Sequence, residues 1–309
     1  MKESKISLKI DVDTHDGMRN GVPALLEDLA HFGVKATFCL SFGPDNAGKA
    51  IFRVLRDLKF LKKMLSTGAP SLYGLRTILS GTLLPSRPIA TAFPELCGRI
   101  EAEGHEVIVH AWDHRKWQDN VHKMTTQEIR QEFRKAFEAY KKIFGVRPWA
   151  VAAPGWQVSA KSLAVEDELG ILYASDLRQG RPCILESGGR RFRTLQIPTT
   201  GPCVEELLAI GVRSDEDLVQ AMLEGVTGHE APVVALHAEV EGGSFRPFFR
   251  RFMTALMKRF DTFITLGQLA TELLEDPDRV VVGRLEFIEL PGRAGKVASC
   301  VPLEPGRGK

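Results

Sequence analysis

Cysteine is scarce in this chain and shows no pairing pattern. The five residues, Cys39, Cys97, Cys183, Cys203 and Cys300, are odd in number, far apart and include no CxxC. This argues against a disulfide framework and a thiolate metal site, and it fits a reducing compartment. Long apolar runs are also missing: none approaches the roughly 18 residues of a membrane-spanning helix. No apolar stretch precedes MKESKISLKIDVD, which enters a strand-like run at once, so no cleaved leader is expected. There is no excess of one charge either. A formal net charge of +2 makes no general case for nucleic acid. No internal repeat is visible. The 309 residues, 44% hydrophobic and 26% charged, suit one large α/β domain or two ordinary ones.

Strand-like and helical patterns alternate along the chain. ISLKIDV precedes a helix over Val22–Phe32, then come VKATFCLSF, EVIVH, a helix over Thr125–Phe144 and PWAVAA. A helix over Ser159–Leu169, ILYAS, TLQIP, a helix over Asp215–Leu223, VVALH, a helix to Arg259 and TFITL with a last helix complete the series. Repeated βα units imply a parallel sheet, open or closed. The tail from Pro291, rich in Gly, Pro and basic residues, is expected to be poorly ordered.

In HAWDH, His110 and His114 stand one helical turn apart, a spacing that can close on one cation when an acid arrives from elsewhere. Asp11 and Asp13 supply that acid twice over. Two apart at the end of an alternating strand, they leave the same face, so one could bind metal and the other accept a proton. In a (β/α) barrel, chemistry gathers at the carboxyl ends of the strands. Asp11 and Asp13, His110, the APGW turn at Ala153–Trp156, Asp176 and His237 all fall at such ends. His105 reads as a buried structural histidine. Trp112 and Trp117 fit a sugar platform or a packing role equally. Glu239 and Glu241 follow His237 closely enough to meet an emerging ammonium.

Two segments carry other signals. GPDNAGKA, Gly43–Ala50, fits the phosphate-loop pattern, but Ala50 stands where a magnesium-binding Ser or Thr belongs, so no nucleotide is expected. Its backbone and Lys49 could hold a substrate phosphate, or it could simply turn. The insert that follows, about residues 49–90, places Ile51, Leu55, Leu58, Leu61 and Leu65 at helical spacing, with Arg53, Arg56, Lys59, Lys62 and Lys63 elsewhere. Such a basic amphipathic helix suits an anionic membrane surface, or it packs on the barrel with a solvated basic face.

IDVDT, HAWDH and ALHAE together resemble the polysaccharide deacetylase (NodB-homology) superfamily of metal-dependent amide hydrolases. The resemblance implies a distorted (β/α)7-type barrel over residues 1–275, with a long amphipathic insertion after the second strand and a partly disordered extension over 276–309. It implies Asp11 as catalytic base, Asp13, His110 and His114 as ligands of one divalent ion (Zn, Co, Mn or Fe), and His237 as general acid. It also implies a backbone N–H at Gly155 or Trp156 sharing the oxyanion. FGPDNAGK, SLYG, AAPGW, QIP and HAEVEGG resemble one branch, which deformylates a 4-formamido sugar carried on undecaprenyl phosphate for lipid A modification. That branch implies a peripheral, monotopic location at the cytoplasmic face of the inner membrane. One departure stands out. The superfamily's third motif usually carries an Arg that orients the base, whereas here Ala152 and Ala153 precede Pro154, leaving Arg178 and Arg181 as candidates for that task. Two alternatives remain: an amidase of the same superfamily acting on a soluble acylated amino sugar or cyclic amide, and a metal-less lipid- or sugar-binding module.

Overall fold

β1 (Glu3–Val12) lies at the centre of the architecture, because three strands pair with it in parallel. A computed structural model describes residues 3–48 and 85–303. On one side β1 meets β2 (Thr37–Ser41). On the other it meets β10 (Phe260–Ile264) along its first half and β9 (Val233–His237) along its second. Beyond β2 the sheet continues through β3 (Glu106–Ala111), β4 (Ala150–Val151), β5 (Tyr173–Ala174) and β8 (Leu195–Gln196), all parallel. β6 (Cys183–Ser187) follows β8 antiparallel and carries the two-residue β7 (Arg190–Arg191). β11 (Val281–Glu289) and β12 (Lys296–Pro302) complete the 12-stranded sheet.

The β1 sequence fixes which side chains look where. Ile6, Leu8, Ile10 and Val12 are buried in the layer between sheet and helices, together with Phe38, Leu40, Val107 and Val109. Ser7, Lys9 and Asp11 take the opposite face. Residues paired across parallel strands share a face, so Asp11 looks into the same interior as Cys39, Ile108 and His237. That interior is floored by Ile108, Ala150, Tyr173, Leu195 and Val233.

The helices form where the patterns place them. α1 spans Val22–Phe32, α2 Pro94–Ala102, α3 His114–Asn120, α4 Thr126–Phe144, α5 Ala160–Leu169, α6 Val204–Ala209, α7 Asp215–Val226, α8 Arg246–Arg259 and α9 Leu266–Glu275. Thr125 and Glu128 cap α4 reciprocally, and Ser159 and Thr265 cap α5 and α9. No helix among the described residues is long and apolar enough to cross a membrane.

The mixed α/β, parallel-dominated architecture matches the expectation, but the sheet is not a closed barrel. Between β8 and β9 the ring is bridged by an irregular segment: Thr200 N–H donates to Val233 O at 3.0 Å, and Val233 N–H to Thr200 Oγ1 at 3.0 Å. Pro198, Pro202 and Pro232 flank this seam and have no N–H to give to a ladder. The stretch from Pro291 also departs from expectation. A turn with positive φ at Gly292 and Gly295 leads into β12, which pairs antiparallel with β11 from Glu289↔Lys296 to Gly283↔Pro302. The insert lies almost wholly outside the described residues, including Lys49, Arg53, Arg56, Lys59, Lys62 and Lys63.

Candidate active site

Asp13, His110 and His114 converge. Their ligand atoms all lie within 4.8 Å of one another, with His110 Nε2 3.2 Å from Asp13 Oδ1 and His114 Nε2 3.2 Å from Asp13 Oδ2. The two histidines do not share a helical face. His110 is the next-to-last residue of β3, and His114 begins α3, after Asp113 accepts the Lys116 N–H as the N-cap. The turn between them brings the rings to 5.2 Å. His110 Nδ1 lies 2.8 Å from Ala152 O, and a carbonyl only accepts, so the proton sits on Nδ1. Nε2 then offers its lone pair to the cluster. When the rings are protonated, His114 and hydrogen bonds from both imidazolium groups outweigh the effect of burial and hold the Asp13 carboxyl well below its usual range. With neutral imidazoles, three acceptors face one another, an arrangement relieved by a cation. The His2Asp donor set therefore fits a divalent ion.

Asp11 stands one β1 step deeper, 3% exposed. Its Oδ1 is buried without a hydrogen-bond partner. Its Oδ2 lies 3.5 Å from Nζ of Lys9, a lysine with no solvent exposure. Nζ also donates to Ser175 O at 3.1 Å. Burial would lower the Lys9 pKa, but Asp11, with smaller help from Cys39, Asp176 and Cys203, overcomes it, so the pKa is raised and the ammonium stays charged. Arg178 and Arg181 do not serve Asp11. Arg178 is bound to Glu206 at 2.9 Å, and Arg181 pairs with Glu230 at 3.0 Å.

His237 closes β9 in register with Asp11. Its Nδ1 lies 3.0 Å from Glu205 Oε1 at the start of α6. Burial opposes charge on the imidazole, but Glu205 outweighs it and holds the pKa well above the ordinary value. Glu241 is fully buried and accepts the His237 backbone N–H at 2.7 Å, so it positions the strand end and does not meet substrate. Burial and Glu205 push its carboxyl up to about 8. Glu239 stays half-buried beside Gly17 and Thr14, and burial and Asp13 raise its pKa strongly. The turn carrying these acids packs on the turn after β1, and the approach is too close for side chains. A Cβ on Gly21 would lie 1.9 Å from Ala238 O, and one on Gly242 2.5 Å from Gly21 O.

The described part of the phosphate-loop look-alike, residues 43–48, is a structural brace. Gly43 N–H donates to Trp112 O, Asp45 N–H to Arg87 O and Ala47 N–H to Asp45 Oδ1. Asn46 Nδ2 holds Asp113 Oδ2 at 2.7 Å, tying the start of α3, and so His114, to the β2 loop.

Other expected site residues lie behind the cluster. Asp176 has no solvent exposure: Oδ1 accepts the Ala153 N–H at 2.7 Å, and Oδ2 lies 3.3 Å from Gln196 Nε2. It shapes the APGW turn and does not reach substrate. Within that turn Gly155 and Trp156 have positive φ, 60° and 54°. The Trp156 N–H is donated to Ala153 O at 3.1 Å, which removes it as an oxyanion donor. Its indole is buried and gathers the guanidinium groups of Arg178 and Arg293, each 4.6 Å from a ring centroid. Trp117 packs on Phe133 and donates Nε1–H to Gln157 O, while Trp112 remains partly exposed. His105 is buried, its Nδ1 accepting the Ala36 N–H at 3.1 Å, as a structural histidine should.

Sequence reasoning missed Lys9 and Glu205. The alternation of β1 carried the signal for Lys9, since it places residue 9 on the Asp11 face. Nothing local marks Glu205, an acid in the first turn of a short helix.

Comparison with known proteins accords with this geometry. The polysaccharide deacetylase family profile matches residues 2–174. The chain is 33% identical over 292 residues to the probable 4-deoxy-4-formamido-L-arabinose-phosphoundecaprenol deformylase ArnD of Shewanella sediminis, covering 94% of this chain and 93% of that one. It is 27% identical over 288 residues to a protein of the same name in Wigglesworthia glossinidia brevipalpis, covering 91% and 97%. In fold it is similar to a Mycobacterium smegmatis protein assigned to the polysaccharide deacetylases, with a TM-score of 0.62, 19% identity and coverage of 94% and 96%.

Proposed function

The chain belongs to the polysaccharide deacetylase family and is a hydrolase acting on an amide, and from that premise we propose that it removes the formyl group of 4-deoxy-4-formamido-L-arabinose carried on undecaprenyl phosphate. The products are formate and a free amine, which readies the sugar for lipid A modification and resistance to cationic peptides such as polymyxin. Similarity along nearly the whole chain to two relatives named for that reaction supports the substrate. The observation that carries the chemistry is the placement of Asp11 and His237 in register on adjacent strands, beside the three-donor cluster.

Asp13, His110 and His114 would hold a divalent ion, whose contribution when bound is to acidify water and polarise the amide oxygen. Asp11 takes the proton of the attacking water on its unpartnered Oδ1. His237, kept protonated by Glu205, gives a proton to the nitrogen as the C–N bond breaks. Glu239, beside Gly17 and Thr14, is the acid that would meet the new ammonium. The basic residues Arg53, Arg56, Lys59, Lys62 and Lys63 bring the enzyme to the anionic cytoplasmic surface of the membrane, as a peripheral protein.

Mass spectrometry of the polyprenyl-linked formamido sugar before and after incubation, with and without chelator, tests the reading. Loss of the formyl mass only in chelator-free samples is expected. An unchanged lipid-linked sugar beside hydrolysis of a soluble acylated amino sugar overturns the substrate.

A further inference from the structure

Lys9 is a full ammonium without solvent exposure, on a sheet face otherwise floored by Ile108, Ala150, Tyr173 and Leu195. Desolvating such a charge costs several kcal/mol, and an apolar side chain of similar volume would serve the fold at least as well. Two contacts account for it: the Ser175 carbonyl at 3.1 Å and Asp11 Oδ2 at 3.5 Å. The other carboxylate near Lys9, Asp176, is already held by the Ala153 N–H and Gln196. Asp11 has no comparable backbone support. Its Oδ1 is unpartnered, so the carboxylate is fixed by Lys9 at Oδ2, with the neighbouring Cys39 thiol as the weaker contact.

We propose that Lys9 is a positioning residue for Asp11: pinned between Ser175 O and Oδ2, its ammonium sets the carboxylate so that the buried Oδ1 stays unpartnered to receive a proton. This rests on the reading of Asp11 as the base. The strand builds the pair by itself, since residues two apart on β1 share a face. The Trp156 ring, 5.3 Å from Nζ, closes the space beside the ammonium and keeps water from replacing it. The reaction is balanced: water adds to the formyl carbon and gives its proton to Asp11, the C–N bond breaks, and His237 protonates the departing nitrogen.

Lys9→Met and Lys9→Arg in the full chain test this. For Lys9→Met, kcat should fall about 10²-fold, as for a misplaced reacting group, with KM, bound metal and melting temperature near wild type. Lys9→Arg should recover much of the loss. Crystal structures should show the Asp11 carboxylate rotated or split between conformers in Lys9→Met only. A kcat within about twofold of wild type, or an undisturbed Asp11, would overturn the proposal. If Lys9→Met does not fold, Lys9→Gln replaces it under the same criteria. Wild-type protein inert toward the formamide would sink the substrate reading and leave the crystallographic comparison to decide the role of Lys9.

Discussion

Glu205 Oε1 lies 3.0 Å from His237 Nδ1, so one ring nitrogen is tied to a carboxylate and Nε2 is the one left to give a proton. An acid catalyst works in its protonated form, so turnover declines as pH rises through the His237 pKa. Glu205 raises that pKa against the effect of burial. Glu205→Gln should therefore move the alkaline limb of the kcat profile to lower pH while leaving bound metal unchanged. A profile superimposable on wild type would remove Glu205 from the mechanism.

Asp11 takes no part in the three-donor cluster, though only Val12 separates it from Asp13. Asp11→Asn keeps the shape and cannot accept the water proton. Activity should drop by about 10²- to 10⁴-fold, the usual contribution of a general base, with metal still bound. Elemental analysis beside steady-state kinetics checks both halves, and activity near wild type would show that the base is elsewhere.

The strand ends could be read from the sequence because period-2 patterns in ISLKIDV, EVIVH and VVALH mark both the strand and the face of its last residue. Asp11, Asp13, His110 and His237 needed no more than that. Lys9 sits in the same pattern, but a lysine among alternating apolar residues reads as solvent-facing, and only the neighbouring strands and Trp156 packed around it make that face an interior. Glu205 is invisible for a different reason: 31 residues and a separate helix divide it from His237, and no local pattern encodes that contact. β12 was hidden by composition, since the Gly- and Pro-rich turn before it resembles a loose tail until β11 supplies its ladder.

His110 contributes an imidazole whose other nitrogen is fixed by Ala152 O. His110→Ala removes one of the three donors, the one whose ring is anchored by Ala152 O. A bound ion commonly supplies several kcal/mol, so its loss should lower activity by about 10²-fold or more. Metal content should fall in parallel. Full occupancy in the variant would reject this ligand assignment.

His105 offers a test of the fold that is independent of catalysis. Buried, and accepting the Ala36 N–H on Nδ1, it is held neutral, and burial lowers its pKa from 6.5 to about 4. The unfolded chain therefore binds a proton more readily than the folded one between those two values. Its contribution to stability is complete above pH 6.5 and is lost as pH falls through 4, about 3 kcal/mol in all by linkage. His105→Asn keeps an acceptor for the Ala36 N–H and has no proton to bind. Urea unfolding from pH 7 down to 4 should show wild type losing more stability than the variant, with the two curves parallel above pH 7. Curves that stay parallel down to pH 4 would mean that His105 titrates normally in the folded protein, and that the close packing between β2 and β3 does not exclude water from it.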